Sequence, residues 1–166
     1  MAWTLFLNRG DFMPRKKVPT TKGRTGADLK AYRDWLGLGP SELAKLCGVS
    51  LDALKACERT DIKGGRRASM DTRRKVWGVV DSLVERHNQG VERLLGLVDD
   101  LEALKGRMPS VVHVAYCKRG EATGEGSDMP DGWYNAIARD AWQFLIADGV
   151  KVRFVYREDM HDGDVW

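Results

Sequence analysis

The segment Ser41-Glu-Leu-Ala-Lys-Leu-Cys-Gly-Val-Ser50-Leu-Asp-Ala-Leu-Lys-Ala-Cys-Glu-Arg59 holds two short helical patterns separated by a Gly-Val-Ser break. The first pattern covers about Pro40–Cys47. Gly39 precedes it as a cap, Pro40 suits the first helical position, and Glu42 follows three residues after the cap. Gly48 then permits the positive φ of a tight turn. Ser50 is a good N-cap for the second pattern, about Leu51–Arg59. Ala44 is small where the two helices must approach each other. Val49 and Leu54 point the turn toward a core with Leu29, Leu36 and Leu43, while Leu51, Asp52, Lys55, Ala56 and Arg59 are left outward. These are the mechanics of a helix-turn-helix, whose second helix enters the major groove of DNA.

Upstream, Leu29, Tyr32, Arg33 and Leu36 stand at i, i+3, i+4 and i+7 and predict a helix from Thr25 that Gly37 stops. Residues 26–59 taken together resemble the lambda-repressor-like (Cro/cI type) helix-turn-helix regulators. Leu29, Arg33, Leu43-Ala44, Gly48-Val49-Ser50 and Glu58-Arg59 carry the resemblance. It implies that Arg33 and Glu58 form a structural ion pair, and that the third helix reads bases. Three positions depart from the family pattern. Pro40 stands where a phosphate-contacting Gln is common, Leu51 where the first reading residue is often Gln, and Cys57 where Trp or Ile is usual. Readout by a bidentate Gln is therefore lost. The remaining candidates for base readout are Lys55 and Arg59, with Leu51 against a thymine methyl and Asp52 facing a cytosine amine or repelling phosphate. Ser41, Lys45, Ser50, Lys63, Arg66 and Arg67 are the candidate phosphate contacts.

The chain of 166 residues carries a net charge of +3, which hides a split: residues 1–75 hold 17 Lys/Arg against 8 Asp/Glu, a balance of +9, and the rest of the chain is −6. A basic front half and an acidic back half suggest a polyanion-binding module joined to something else. Residues 1–24 show no period. Arg15, Lys16, Lys17, Lys22 and Arg24, set among Pro, Thr and Gly, read as a flexible basic arm placed before the first helix to reach the DNA minor groove. Met13 is a second candidate start. The opening residues carry no basic stretch ahead of an apolar core, which argues against a secretory signal. No run approaches the roughly 20 apolar residues of a spanning helix. Cys47, Cys57 and Cys117 have no metal spacing and read as reduced thiols of a cytoplasmic protein.

Past a Gly-Arg loop at 61–68, Ser69 opens a long helical region to about Leu104. Trp77, Val80, Val84, Val91, Leu94, Val98 and Leu101 form one stripe, with His87 in its missing slot as a packed, hydrogen-bonded histidine. The residues His-Asn-Gln-Gly at 87–90 are a soft spot that leaves one helix or two open. After Pro109 the period becomes two: Val111–Cys117 and Val150–Tyr156 predict strands. The helix between them, from Asp131, has apolar residues on two faces, Trp133/Ile137/Ala141/Phe144/Leu145 and Tyr134/Ala138/Trp142/Ile146. This second half is similar, in its order of elements, to the anti-CRISPR-associated autorepressors, around Asp131–Arg139 and Ile146–Arg153. That resemblance implies a dimer that represses its own operon.

The expectation is an α+β, mostly α fold with five segments. They are an arm at 1–24, a helix-turn-helix domain at 25–68, a helical connector at 69–108, a strand-helix-strand dimerisation domain at 109–158 and an acidic tail at 159–166. The expected function is a sequence-specific DNA-binding transcriptional regulator, a homodimeric repressor held together by residues after 70 and reading an inverted repeat in double-stranded DNA. The rival is a protein-interaction factor, such as a phage or host inhibitor or an antitoxin, with a degenerate helix-turn-helix. No nucleophile–base pair, phosphate loop or paired catalytic carboxylates stand out, so no enzyme activity and no cofactor are expected. The terminal His161-Asp-Gly-Asp164 reads as tail rather than as a metal site.

Overall fold

The computed structural model describes residues 23–59, 68–107, 110–121 and 128–160. The elements run α1 (Gly26–Trp35), α2 (Pro40–Cys47), α3 (Leu51–Glu58), α4 (Met70–Lys105), β1 (Val112–Tyr116), α5 (Asp131–Ala147) and β2 (Val152–Tyr156), followed by a 3-10 turn at Arg157–Asp159. The fold is α+β and mostly helical, with one two-stranded sheet.

Local chemistry sets the helix ends. Thr25 and Asp28 form a reciprocal capping box on α1, with Thr25 N donating to Asp28 Oδ2 at 2.7 Å and Asp28 N to Thr25 Oγ1 at 3.2 Å. Ser50 Oγ accepts from Ala53 N at the start of α3, and Ser69 Oγ accepts from Thr72 N at the start of α4. Gly48 ends α2 in the left-handed region, at φ +57°, and lets the chain turn into α3 within three residues.

The long region is a single helix of 36 residues, about 54 Å at 1.5 Å per residue. The soft spot at 87–90 does not divide it, because tertiary packing on both sides of Gly90 holds the helix. A Cβ at Gly90 would press into the Ile137 side chain, so α4 and α5 approach closely there. Rather than linking two domains from outside, α4 is a wall of both cores. Val76, Trp77, Val80, Leu83 and Val84 pack with Leu29, Leu36, Leu38, Leu43 and Leu54 of the first three helices and the α1–α2 loop. Val91, Leu94 and Val98 pack with Val112, Val114, Ala138, Ala141 and Leu145. Ile137 touches both clusters.

The strands are parallel, with Val112 opposite Val152 and Tyr116 opposite Tyr156. Parallel neighbours need a crossover, and α5 supplies it. Val112 and Val114 are buried, but β2 lies half in solvent, with Phe154 40% and Tyr156 46% exposed. The two apolar faces of α5 are therefore unequal. Trp133, Ala138, Ala141 and Leu145 are buried, whereas Trp142 and Phe144 are half-covered and Ile146 is exposed. Two strands are too narrow to cover both faces of a 17-residue helix. Among the described residues no helix is long and apolar enough to cross a membrane.

Candidate nucleic-acid interface

The third helix is held from behind and open in front. Leu54 and Cys57 face the core, while Leu51, Asp52 and Lys55 are exposed on the other side and Arg59 follows in solvent at the helix end. Positions 51, 55 and 59 are one helical turn apart and share a stripe, with Asp52 beside it. Ser41 and Lys45 are exposed on α2. Ser50 is also exposed, but its hydroxyl is engaged as the cap of α3, accepting from Ala53 N.

Arg33 and Glu58 form the ion pair that locks α1 to the end of α3. Arg33 Nε donates to Glu58 Oε1 at 2.6 Å, and its side chain is 7% exposed against 14% for Glu58. A second guanidinium nitrogen reaches Asp34 Oδ1 at 2.7 Å and the Leu38 carbonyl at 3.0 Å. Burial opposes the Arg33 charge, but the bond and charge of Glu58, with Asp34 behind them, outweigh it and hold the guanidinium above its ordinary pKa. At the other end of α1, a Cβ on Gly26 would collide with the Glu58 carbonyl, so glycine is needed for the two helices to meet.

One expected arm residue is placed differently. Arg24 is buried at 8% exposure, donates to Asp81 Oδ1 of α4 at 2.8 Å and lies 4.5 Å from the centre of the Trp77 ring. Its carbonyl accepts from Arg73. Arg24 belongs to the packing of the first three helices, the head, on α4 and is removed from the set of candidate arm contacts. The sequence run of five basic residues hid this, because the carboxylate and the ring that hold Arg24 come more than fifty positions later. Arg15, Lys16, Lys17 and Lys22 of the arm and Lys63, Arg66 and Arg67 of the loop lie outside the described residues, as does the 161–164 segment.

The start of α4 adds a basic residue that the sequence reading passed over. Lys75 Nζ donates to the Gly48 carbonyl at 3.0 Å, which puts an exposed ammonium beside the turn between α2 and α3. Lys75 sits in a helical run whose apolar stripe draws the eye instead.

Comparison of the chain with protein-family models and with curated protein sequences gives no match.

The head is fixed to the rest of the chain by a buried polar joint. His87 of α4 is fully buried, and its Nε2 lies 3.0 Å from Asp140 Oδ2 of α5. Which of the two atoms donates depends on the His87 tautomer. Trp35 Nε1 of α1 donates to the same oxygen at 2.8 Å. The His87 ring packs 4.4 Å from the Trp35 ring and 5.6 Å from the Trp133 ring. Beside it, Gly37 and Gly132 meet backbone to backbone, and a Cβ on either would overlap the other's carbonyl. Three elements from distant parts of the chain thus converge on one carboxylate. Asp140 was legible only as an acidic residue in an apolar helix.

The thiols are not poised for chemistry. Burial pushes Cys47 up to about 11 and also raises Cys57 and Cys117. Among the described residues no three His, Cys, Asp or Glu side chains gather into a metal-ligating group.

Proposed function

We propose that the chain is a sequence-specific DNA-binding transcriptional regulator that reads double-stranded DNA with α3 in the major groove. The observation that carries this reading is the α2–α3 unit. Its turn is made by Gly48, Ser50 caps its second helix, Arg33–Glu58 braces it from behind, and Leu51, Asp52, Lys55 and Arg59 stand outward. In this reading Lys55 and Arg59 contact base edges and Leu51 meets a thymine methyl. Ser41, Lys45, the amides after Ser50 and Lys75 hold phosphates. The +9 charge of the front half supplies the salt-dependent part of the affinity.

The protein acts as a cytoplasmic homodimer on an inverted repeat, and works as a repressor by blocking polymerase. The half-exposed β2, with Phe154 and Tyr156 in solvent and no strand beyond it among the described residues, supports a pairing of two copies there. Because α4 contributes to both cores, the dimer is to be tested on the whole chain. Light scattering at tens of micromolar is expected to give twice the chain mass, and a monomer refutes this part.

Selection of bound fragments from a random DNA pool tests the central reading. A recovered consensus with two-fold symmetry is the expected result. Failure to enrich any sequence, with no retardation of genomic fragments at low salt, refutes DNA binding. Leu51, 37% exposed on the reading face, and the acidic Asp52 then favour the rival reading of a protein-interaction surface.

A further inference from the structure

A cleft of about 400 Å³ opens between α4, the carboxyl end of β1 and the first turns of α5. Its floor is apolar, with Leu94, Trp133 and Ile137, and Arg86, Arg93 and Tyr134 line it as well. The volume falls in the range of small-molecule sites, which pair an apolar lining with a few polar groups that fix orientation. Among the described residues the lining contains two arginines and no carboxylate, in the half of the chain whose balance is −6. Arg86 and Arg93 are seven residues apart on α4, two helical turns, so both serve one side of the cleft. Arg86 is steadied by Asp128 at 3.2 Å, while Arg93 has no ion pair among the described residues. A guanidinium with free donors above an apolar floor suits a carboxylate, sulfonate or phosphate attached to an apolar body.

The cleft also adjoins the joint that seats the head. Trp133 lines the cleft and at the same time meets the His87 ring edge to face at 5.6 Å. His87 stacks on Trp35 of α1 and shares Asp140 with it. The preceding residue, Gly132, is in backbone contact with Gly37, between α1 and α2. A molecule seated against Trp133 therefore touches a side chain whose neighbours hold the reading head.

We infer that this cleft is a binding site for a small organic anion with an apolar body, and that its occupancy stiffens the joint between the head and the C-terminal half. The site itself does not depend on DNA binding. Its meaning as an effector site rests on the proposed regulator.

The test uses the full chain and 8-anilinonaphthalene-1-sulfonate, an anionic aromatic probe that fluoresces when bound. N-phenyl-1-naphthylamine, which has the same body without the sulfonate, is the neutral control. Saturable binding of one probe per chain is expected. Arg93→Glu should weaken it tenfold or more, the loss of a charge-assisted contact, and leave the neutral probe nearly unaffected. Arg74→Glu makes the same charge change on the exposed start of α4 and should leave both unchanged. Both variants are at exposed positions, and unaltered melting confirms that they fold.

Hydrogen exchange reads the coupling without DNA. Amides of 36–39 should slow on saturation in the parent and not in Arg93→Glu. Equal weakening by Arg93→Glu and Arg74→Glu, or no saturable binding, overturns the site. Saturation with unchanged exchange at 36–39 overturns the coupling. Neither result bears on DNA binding, which the sequence selection decides separately.

Discussion

Replacing Glu58 by alanine should damage folding more than recognition, and the size of the effect follows from what Arg33 keeps. Removing one partner of a buried ion pair costs about 3–5 kcal/mol when the other is left with nothing. Arg33 is 7% exposed at its side chain, so it cannot recover full hydration. It does retain Asp34 at 2.7 Å and the Leu38 carbonyl at 3.0 Å. The stranded charge is thus partly met, which brings the expected loss to about 2–3 kcal/mol. At roughly 2–4 °C per kcal/mol for a chain of this size, the melting midpoint should fall by about 4–12 °C. Denaturant and thermal melts of Glu58→Ala measure this directly. Glu58→Gln keeps an acceptor for Arg33 Nε and should lose less. Replacing both residues by methionine should recover part of the loss, since no buried charge then remains. Residual DNA affinity should be intact at temperatures where the variant is folded. A Glu58→Ala protein that melts like its parent and no longer binds DNA would refute the bracing role and put Glu58 at the interface.

If six to eight phosphates are contacted, raising salt from 50 to 200 mM should cost on the order of a thousandfold in DNA affinity. Deleting residues 1–22, a cut that spares the structural Arg24, should flatten that slope in filter-binding titrations. An unchanged slope makes the arm a bystander. Lys55→Ala and Arg59→Ala should relax base preference by roughly 1–3 kcal/mol per lost contact, whereas Lys45→Ala should weaken all sequences alike. A shared pattern among the three, measured on a panel of single-base operator variants, would reassign the reading helix. Gly132→Ala should destabilise by about 1–3 kcal/mol, because its Cβ would force the α5 start away from the Gly37 carbonyl. A melt identical to the parent's would deny that close approach. Cys47, at a pKa of about 11, has about one thiolate in a thousand at pH 8, so iodoacetamide should label the half-exposed Cys117 well before it. Labelling of both at the same rate in the native protein would contradict the burial of Cys47.

The helices and their ends could be read locally. Gly39-Pro40, Gly48, Ser50 and Ser69 act on the backbone within four residues of themselves, so their effect needs no knowledge of the rest of the chain. The 3-4 stripe of α4 and the alternation at Val111–Cys117 likewise report burial from spacing alone. The outward set on α3 followed from the same arithmetic, since a helix that buries Leu54 and Cys57 must expose 51, 52 and 55.

What tertiary structure decided was the choice of partners. Whether 70–105 was one helix or two depended on Ile137 packing at Gly90. Arg24 looked like its basic neighbours until Asp81 and Trp77 arrived from α4. The parallel pairing of β1 with β2, the Gly37–Gly132 contact and the meeting of Trp35, His87 and Asp140 join residues up to 105 positions apart. Hydrogen bonds and ring contacts act over a few ångströms in space and carry no trace along the chain. Periodicity shows that a side chain will be buried, whereas only the packed fold determines what it is buried against.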